Sequence, residues 1–191
     1  MTDLYLRTKQ SSQALNAIIK AETLAPEQPQ IQILKVQCLS LTGNNAQALC
    51  SANKLFNKKP NLLAKDWANL GVYFHQLNNL TSAHQCFKNS VELEPHNSQF
   101  KFNYATSLRN TGDLIQAGQE LNNVLKLNPK DWDAYLARSL LTKMTTDKNH
   151  ISALKSLTTI DKSNVAQSKL LFALAKEQED CLDYKSSFSN L

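Results

Sequence analysis

The stretch AKDWANLGVYFHQLNNLTSAHQCFKNSVELEP, residues 64–95, decides how the rest of the chain is read. Within it Trp67 and Leu70 are three apart and Leu70 and Phe74 four apart, the spacing that lines up side chains on one face of a helix. Gly71 falls on the same side, where the absence of a side chain lets a second helix come close. Ala83 and Phe87, four apart on the following stretch, fill the gap between them. Pro95 closes the segment, because proline cannot continue a helix. The reading is two antiparallel helices, A then B, each with one apolar face.

The same marks recur on both sides. Pro26, Pro60, Pro95 and Pro129 are separated by 34, 35 and 34 residues, and Ala14, Ala48, Ala83, Ala117 and Ala153 by 34, 35, 34 and 36. Two independent series sharing one period signal a repeat array. A single helix pair cannot bury its apolar side; stacked neighbours do so. The register predicts helix B of an incomplete first unit over 12–24 and A helices near 29–41, 63–77, 97–111 and 132–144. The B helices fall near 45–57, 80–93, 114–127 and 149–159. A last A helix covers 165–181, and the chain reaches Leu191 inside the next B helix. Gly43 and Gly112 fall at A-to-B turns and Gly118 inside a B helix, so no glycine remains to cradle a phosphate.

A 34-residue period with this pattern resembles the tetratricopeptide repeat. Trp67, Leu70, Gly71 and Phe74 match its W-x2-L-G-x2-Y signature with Phe for Tyr, and Ala83 and Phe87 match A-x3-F. Unit 98–129 keeps Ala105, Leu108, Ala117, Leu121 and Pro129 but has Lys101 at the Trp position; unit 29–60 keeps Val36, Leu39, Ala48 and Pro60 but has Gln32 there. The resemblance implies an all-α fold, a right-handed superhelix or α-α solenoid with about four complete repeats and a partial one at each end. One domain, 1–191, is expected: a partial repeat at 1–26, repeats at 29–60, 64–95 and 98–129, a divergent repeat at 132–163 and a truncated one at 165–191.

The divergent unit has a longer turn, Met144 to Asn149, and no closing proline. His150-Ile151 with Leu154, then Lys169-Leu-Leu-Phe-Ala-Leu-Ala-Lys-Glu177, Glu179-Asp180, Tyr184 and Phe188, resemble the end of the repeat region in bacterial proteins that join tetratricopeptide repeats to a sulfotransferase domain. That resemblance covers about 45 residues and implies a catalytic domain beyond residue 191. It carries over no catalytic residue, since the strand and loop that bind a phosphosulfate donor do not occur here.

Composition fits a folded helical protein: 42% of residues are apolar, 19% are charged, and only four glycines and five prolines occur. Cys38, Cys50, Cys86 and Cys181 form no C-x-x-C pair and have no histidine at zinc-ligand spacing, so buried or half-buried thiols in a reducing cytoplasm are expected. Met1–Gln10 lacks a signal-peptide core, and no stretch approaches the ~18 apolar residues of a membrane span. A soluble cytoplasmic protein follows, with no membrane partner. The net charge is +5. Lys54, Lys58, Lys59 and Lys65 cluster in one region and Glu177, Glu179, Asp180 and Asp183 in another. These read as solvated helix faces, with attraction for an acidic partner as the alternative. No aromatic-interleaved basic run accompanies them, so nucleic acid is not an expected partner.

In this family the A helices line the concave wall. Asn69 lies two residues after Trp67 and Asn103 two after Lys101, equivalent places facing that groove. An Asn amide offers both a donor and an acceptor and so matches a peptide unit. The expectation is that both face an extended peptide with no partner in their own helices; Leu34 and Ala137 occupy the flanking equivalents. Gln37, Lys65, Val72, His75, Gln76, Gln99, Phe102, Thr106 and Arg109 share that register, and Lys65, His75 and Arg109 make it mildly basic. A chaperone-type carboxylate clamp matches only at Asn69, since Ile33, Gln37, Gln99 and Asn103 stand at its other places. His75, His84, His96 and His150 lie in separate units and Trp67 and Trp132 read as packing residues, so no catalytic residue, metal or cofactor site is expected. The chain reads as a protein- or peptide-binding module and not an enzyme, the recruiting arm of a sulfotransferase. Its partner is a protein or extended peptide in the groove, or its own downstream catalytic domain. The alternative is a scaffold that self-associates.

Overall fold

A computed structural model of the protein describes residues 11–26, 28–58, 61–161 and 163–190. Pro60, Lys59, Leu191 and the segment Met1–Gln10, all used above, lie outside the described residues. Eleven helices are present among the described residues: α1 Ser11–Leu24, α2 Pro29–Leu41, α3 Asn45–Asn57, α4 Ala64–Gln76, α5 Leu80–Leu93, α6 Ser98–Thr111, α7 Leu114–Leu127, α8 Trp132–Leu141, α9 Ile151–Ile160, α10 Asn164–Asp180 and α11 Tyr184–Ser189. The only β-type pairing among the described residues is an isolated bridge, Thr145 to Lys148. The fold is an all-helical array of the α-solenoid kind, divided into one unit up to Pro95 and another from His96.

In the first unit α2 pairs with α3 and α4 with α5 as hairpins, α1 packs on α2, and α4 packs on both α2 and α3. Leu70 and Phe74 of α4 and Ala83 and Phe87 of α5 are buried. Gly71 makes the close approach possible: a Cβ there would stand 2.7 Å from Cε1 of Phe87. Phe56 of α3 meets Trp67 and Phe74 edge-on, with ring centroids 6.1 and 5.7 Å apart.

In the second unit α6 and α7 form the same hairpin, with Leu108, Ala117 and Leu121 buried, and α8 packs on α7. The following helices depart from the repeat. Both α8 and α9 pack on α10, around a core of Tyr135, Leu154, Ala166, Leu170, Ala173 and Leu174. Helix α8 ends at Leu141, three residues before the expected 144, because Thr142 turns extended (φ −145°, ψ 154°) and the Met144 N–H donates to Asp180 instead.

Four A-to-B turns share one construction. A left-handed residue follows each A helix: Gly43, Asn78, Gly112 and Leu182, with φ of 76°, 58°, 91° and 66°. The next N–H returns to the A helix in each case, Asn44 to Leu39, Asn79 to Phe74, Asp113 to Leu108 and Asp183 to Gln178, at 2.8–3.0 Å. This is the Schellman closure, which satisfies carbonyls that a helix end would leave bare. In three of these turns the same residue then caps helix B: Asn79, Asp113 and Asp183 accept from the N–H three residues on. The α8–α9 connection has no such turn.

Candidate functional site

On α4 the core side is formed by Ala64, Trp67, Ala68, Leu70, Gly71 and Phe74. Lys65, Asn69, Val72 and Gln76 lie at steps of four, three and four, a stripe on another face of the same helix. Lys65, Gln76 and the neighbouring His75 are exposed, and Asn69 and Val72 half-buried. On α6 the core side is Phe100, Tyr104, Ala105, Ser107 and Leu108. Gln99, Phe102, Asn103 and Thr106 form the corresponding stripe; Gln99 and Arg109 are exposed, the other three half-buried. Gln37 of α2 is half-buried. Thus Gln37, Lys65, Asn69, His75 and Gln76 belong to the first unit and Phe102, Asn103, Thr106 and Arg109 to the second.

One expectation is overturned. Asn103 has a partner in its own helix: its Oδ1 accepts from Nε2 of Gln99 at 3.2 Å. The two are four residues apart and so adjoin on the helix surface. That bond leaves the Asn103 amide N–H₂ as its group for a ligand. The Asn69 side chain makes no hydrogen bond among the described residues. Lys101, at the Trp position of its unit, is held by Glu120 of α7 at 2.9 Å, with both side chains largely buried.

The acidic residues near the C-terminal end are not all solvated, as had been expected. Glu177 is fully buried. Its Oε1 accepts from the Ser139 hydroxyl at 2.6 Å and lies 3.1 Å from Nδ1 of His150, and its Oε2 accepts from the His150 N–H at 2.5 Å. Burial pushes the Glu177 pKa up, but the hydrogen bonds from His150 and Ser139, and attraction to the His150 ring, outweigh it and leave the group below its ordinary value. Asp180, one turn on, accepts from the Met144 N–H at 2.8 Å and from Lys176. Burial raises its pKa too, and these bonds with the nearby lysine charges bring it below normal. Gln178, next to Glu177, is buried and accepts at 2.7 Å from Asn190, the residue that follows α11. Three residues of α10 therefore anchor α8, the 142–150 connection, the start of α9 and the end of α11. Glu179 and Asp183 are exposed. Ser139, His150 and Glu177 do not make a nucleophile–base pair, because the serine donates to the carboxylate and not to the imidazole.

Cys50 also departs from expectation, since it is exposed while Cys38 and Cys86 are buried and Cys181 half-buried. It sits two residues from both Ala48 and Ala52, which with Leu55 are the buried residues of α3, and so on the opposite side. Among the described residues no group of His, Cys, Asp and Glu could hold a metal ion, and no helix is long and apolar enough to cross a membrane.

Comparison with known proteins bears on the fold. Residues 67–97 match the family model of the tetratricopeptide repeat. No curated protein sequence matches. Among solved structures, YrrB, described as a TPR protein with an unusual peptide-binding site, is 17% identical with a TM-score of 0.64, over 98% of this chain and 87% of that one. MamA is 14% identical with a TM-score of 0.65, over 97% and 96%. PilF of Pseudomonas aeruginosa is 15% identical with a TM-score of 0.73, over 99% and 85%. The chain therefore carries a tetratricopeptide repeat at residues 67–97, and the fold around it is the one seen in the TPR protein YrrB.

Proposed function

We propose that this chain is a protein- or peptide-binding module that presents an A-helix stripe for an extended segment in each unit, that of α4 in the first and that of α6 in the second. The observation that carries this reading is the pair Asn69 and Asn103, equivalent in register and set on the side of each helix away from its core residues. Lys65, His75 and Arg109 lend these stripes positive charge, and Gln37, Gln76, Phe102 and Thr106 supply further polar and apolar contacts. Similarity in fold to a TPR protein with a peptide-binding site supports the same class of function. The module has no catalysis of its own, and it works in the cytoplasm of a bacterium as the recruiting arm of a sulfotransferase. The run from His150 to Phe188 supports that last assignment, through its resemblance to the repeat region of such enzymes.

The test is the double variant Asn69→Ala, Asn103→Ala, titrated with a peptide library. Each amide contributes about 0.5–1.5 kcal/mol of hydrogen bonding, so the double variant loses about tenfold in affinity with its helicity unchanged. Equal affinity in a folded double variant refutes both stripes as binding surfaces. A phosphosulfate nucleotide binding this chain refutes the division of labour with a downstream catalytic domain. A second reading, a self-associating scaffold, draws on the exposed Tyr184 and Phe188 of α11 and Phe172 of α10. Sedimentation giving a monomer at high micromolar concentration removes it.

A further inference from the structure

The Glu177 anchor leaves one side of the His150 ring unspent. Nδ1 stands 3.1 Å from Glu177 Oε1, and the His150 backbone N–H donates to Oε2 at 2.5 Å. An ionised carboxylate only accepts, so the proton of the neutral ring sits on Nδ1 and Nε2 carries a bare lone pair. Tyr135 meets the ring edge-on, with centroids 5.6 Å apart. The ring is thus fixed from two sides, yet the His150 side chain keeps 24% of its surface in solvent. Tyr135 is the second unspent group. It is only 6% exposed, and its hydroxyl makes no hydrogen bond among the described residues. That oxygen still touches solvent, since Ser40 Oγ is the one sealed side-chain polar atom without a partner among them.

Two more donors stand on α7. Asn122 gives its Oδ1 to Nε of Arg138 at 3.1 Å, which leaves its amide N–H₂ for another partner. Lys126, four residues on and so on the same face, is exposed and makes no ion pair among the described residues. Asn122, Lys126, Tyr135 and His150 line one open recess of about 390 Å³, with Leu125 as its apolar wall. The recess lies wholly in the second unit. A buried hydroxyl, a fixed imidazole, an amide and an ammonium facing one recess, none of them satisfied there by the protein, suit an oxyanion.

We infer that this recess receives the phosphoryl group of a phosphorylated serine or threonine side chain on a partner protein. Lys126 supplies opposite charge, the Asn122 amide and the Tyr135 hydroxyl donate to phosphoryl oxygens, and His150 Nε2 shares one proton with another. That proton decides the class of ligand. A bare Nε2 repels the lone pairs of a carboxylate, which is ionised at neutral pH. A phosphate monoester loses its second proton at about pH 6, so it brings the proton itself or passes it to the ring, and the hydrogen bond forms either way. The Glu177 charge behind Nδ1 favours the proton on the ring, and Lys126 favours the ionised phosphate. The site uses none of the stripe residues of α4 and α6.

The experiment titrates the 191-residue chain with the capped peptide acetyl-Ala-phosphoserine-Leu-amide. Amide and imidazole NMR shifts locate binding and measure it. Saturable shifts are expected at the Asn122 side-chain amide and the His150 ring. The same peptide with plain serine gives none, and with glutamate it binds about tenfold more weakly or less, having no proton to share. Inorganic phosphate moves the same signals at higher concentration, because it lacks the contact with Leu125. The variant Tyr135→Phe keeps the ring and removes only the unpartnered hydroxyl. Its urea midpoint therefore holds while affinity for the phosphopeptide falls about tenfold, the loss of one hydrogen bond to a charged group. Should that variant fold poorly, the surface variant Lys126→Gln carries the test, with affinity about threefold lower and less dependent on salt. Equal shifts with the serine and phosphoserine peptides, glutamate or inorganic phosphate binding as tightly as phosphoserine, shifts confined to the α4 and α6 stripes, or undiminished binding by a folded Tyr135→Phe protein overturns the inference.

Discussion

Replacing Glu177 by glutamine tests whether α10 anchors the end of the array. The carboxylate receives the Ser139 hydroxyl, the His150 N–H and the His150 ring from three directions, with no exposure to water. Glutamine has the same shape but keeps one acceptor oxygen; its other terminal atom becomes an N–H₂ facing a donor. Hydrogen bonds to a charged group contribute about 1.5–3 kcal/mol each, and a buried donor left unsatisfied costs about 1–3 kcal/mol. Relaxation recovers part of this, leaving a loss of roughly 2–4 kcal/mol. For a chain of this size each kcal/mol lowers Tm by roughly 2–4 °C, so a drop of about 4–16 °C follows. The effect is local, so the assay pairs urea unfolding with amide exchange at His150, Ile151 and Leu154, which should speed up while amides of α4 and α5 do not. The pH dependence has a definite sign. The folded-state pKa of Glu177 lies below its ordinary value, so its contribution is fully present above the unfolded pKa of about 4.3 and fades as pH falls through the lowered folded value. The glutamine variant lacks that dependence, and the two proteins converge in acid. A loss below about 0.5 kcal/mol at neutral pH, with exchange at His150 unchanged, would refute the anchoring role, since surface substitutions reach that size.

Other changes probe the repeat itself. Phe87→Ala empties the contact under Gly71 and should destabilise the chain by roughly 3–5 kcal/mol in denaturant melts. Leu182 is 67% exposed and held at φ 66°, so Leu182→Gly should stabilise the α10–α11 turn by roughly 0.5–1 kcal/mol, read from the urea midpoint. A thiol reagent should modify Cys50 first, because burial raises the pKa of the Cys38 and Cys86 thiols, and burial followed by the charges of Glu177 and Asp180 raises that of Cys181. Mass mapping that finds Cys86 labelled as fast as Cys50 would contradict the packing of α5.

Much of the helical framework is legible in the residues. The B helices at 45–57, 80–93 and 114–127 occupy the expected spans because local marks set both ends, a turn residue before and a closing stretch after. Burial of Leu70, Phe74, Ala83 and Phe87 follows from spacing alone. The end of the array follows no such marks. Glu177 looks on paper like Glu179, two residues away, yet its partners Ser139 and His150 stand 38 and 27 residues earlier, outside the 34-residue period. Nothing local announces a carboxylate that closes contacts of that range. The Gln99–Asn103 bond was readable from its i,i+4 spacing, and the groove register obscured it.

The dependence of both α8 and α9 on α10 has a consequence for how the protein is made. A ribosome releases the chain from the N-terminus, and the α2–α3, α4–α5 and α6–α7 hairpins each close within about 30 residues, as soon as they emerge. Helices α8 and α9 cannot close in that way. Their apolar faces wait for Leu170 and Leu174, and Ser139, Met144 and His150 wait for Glu177 and Asp180. Until Asp180 has cleared the exit tunnel, α9 and the side of α8 turned from α7 carry apolar surface without a mate. This interval is where a chaperone has most to grip, and it ends only when Asp180 has left the ribosome.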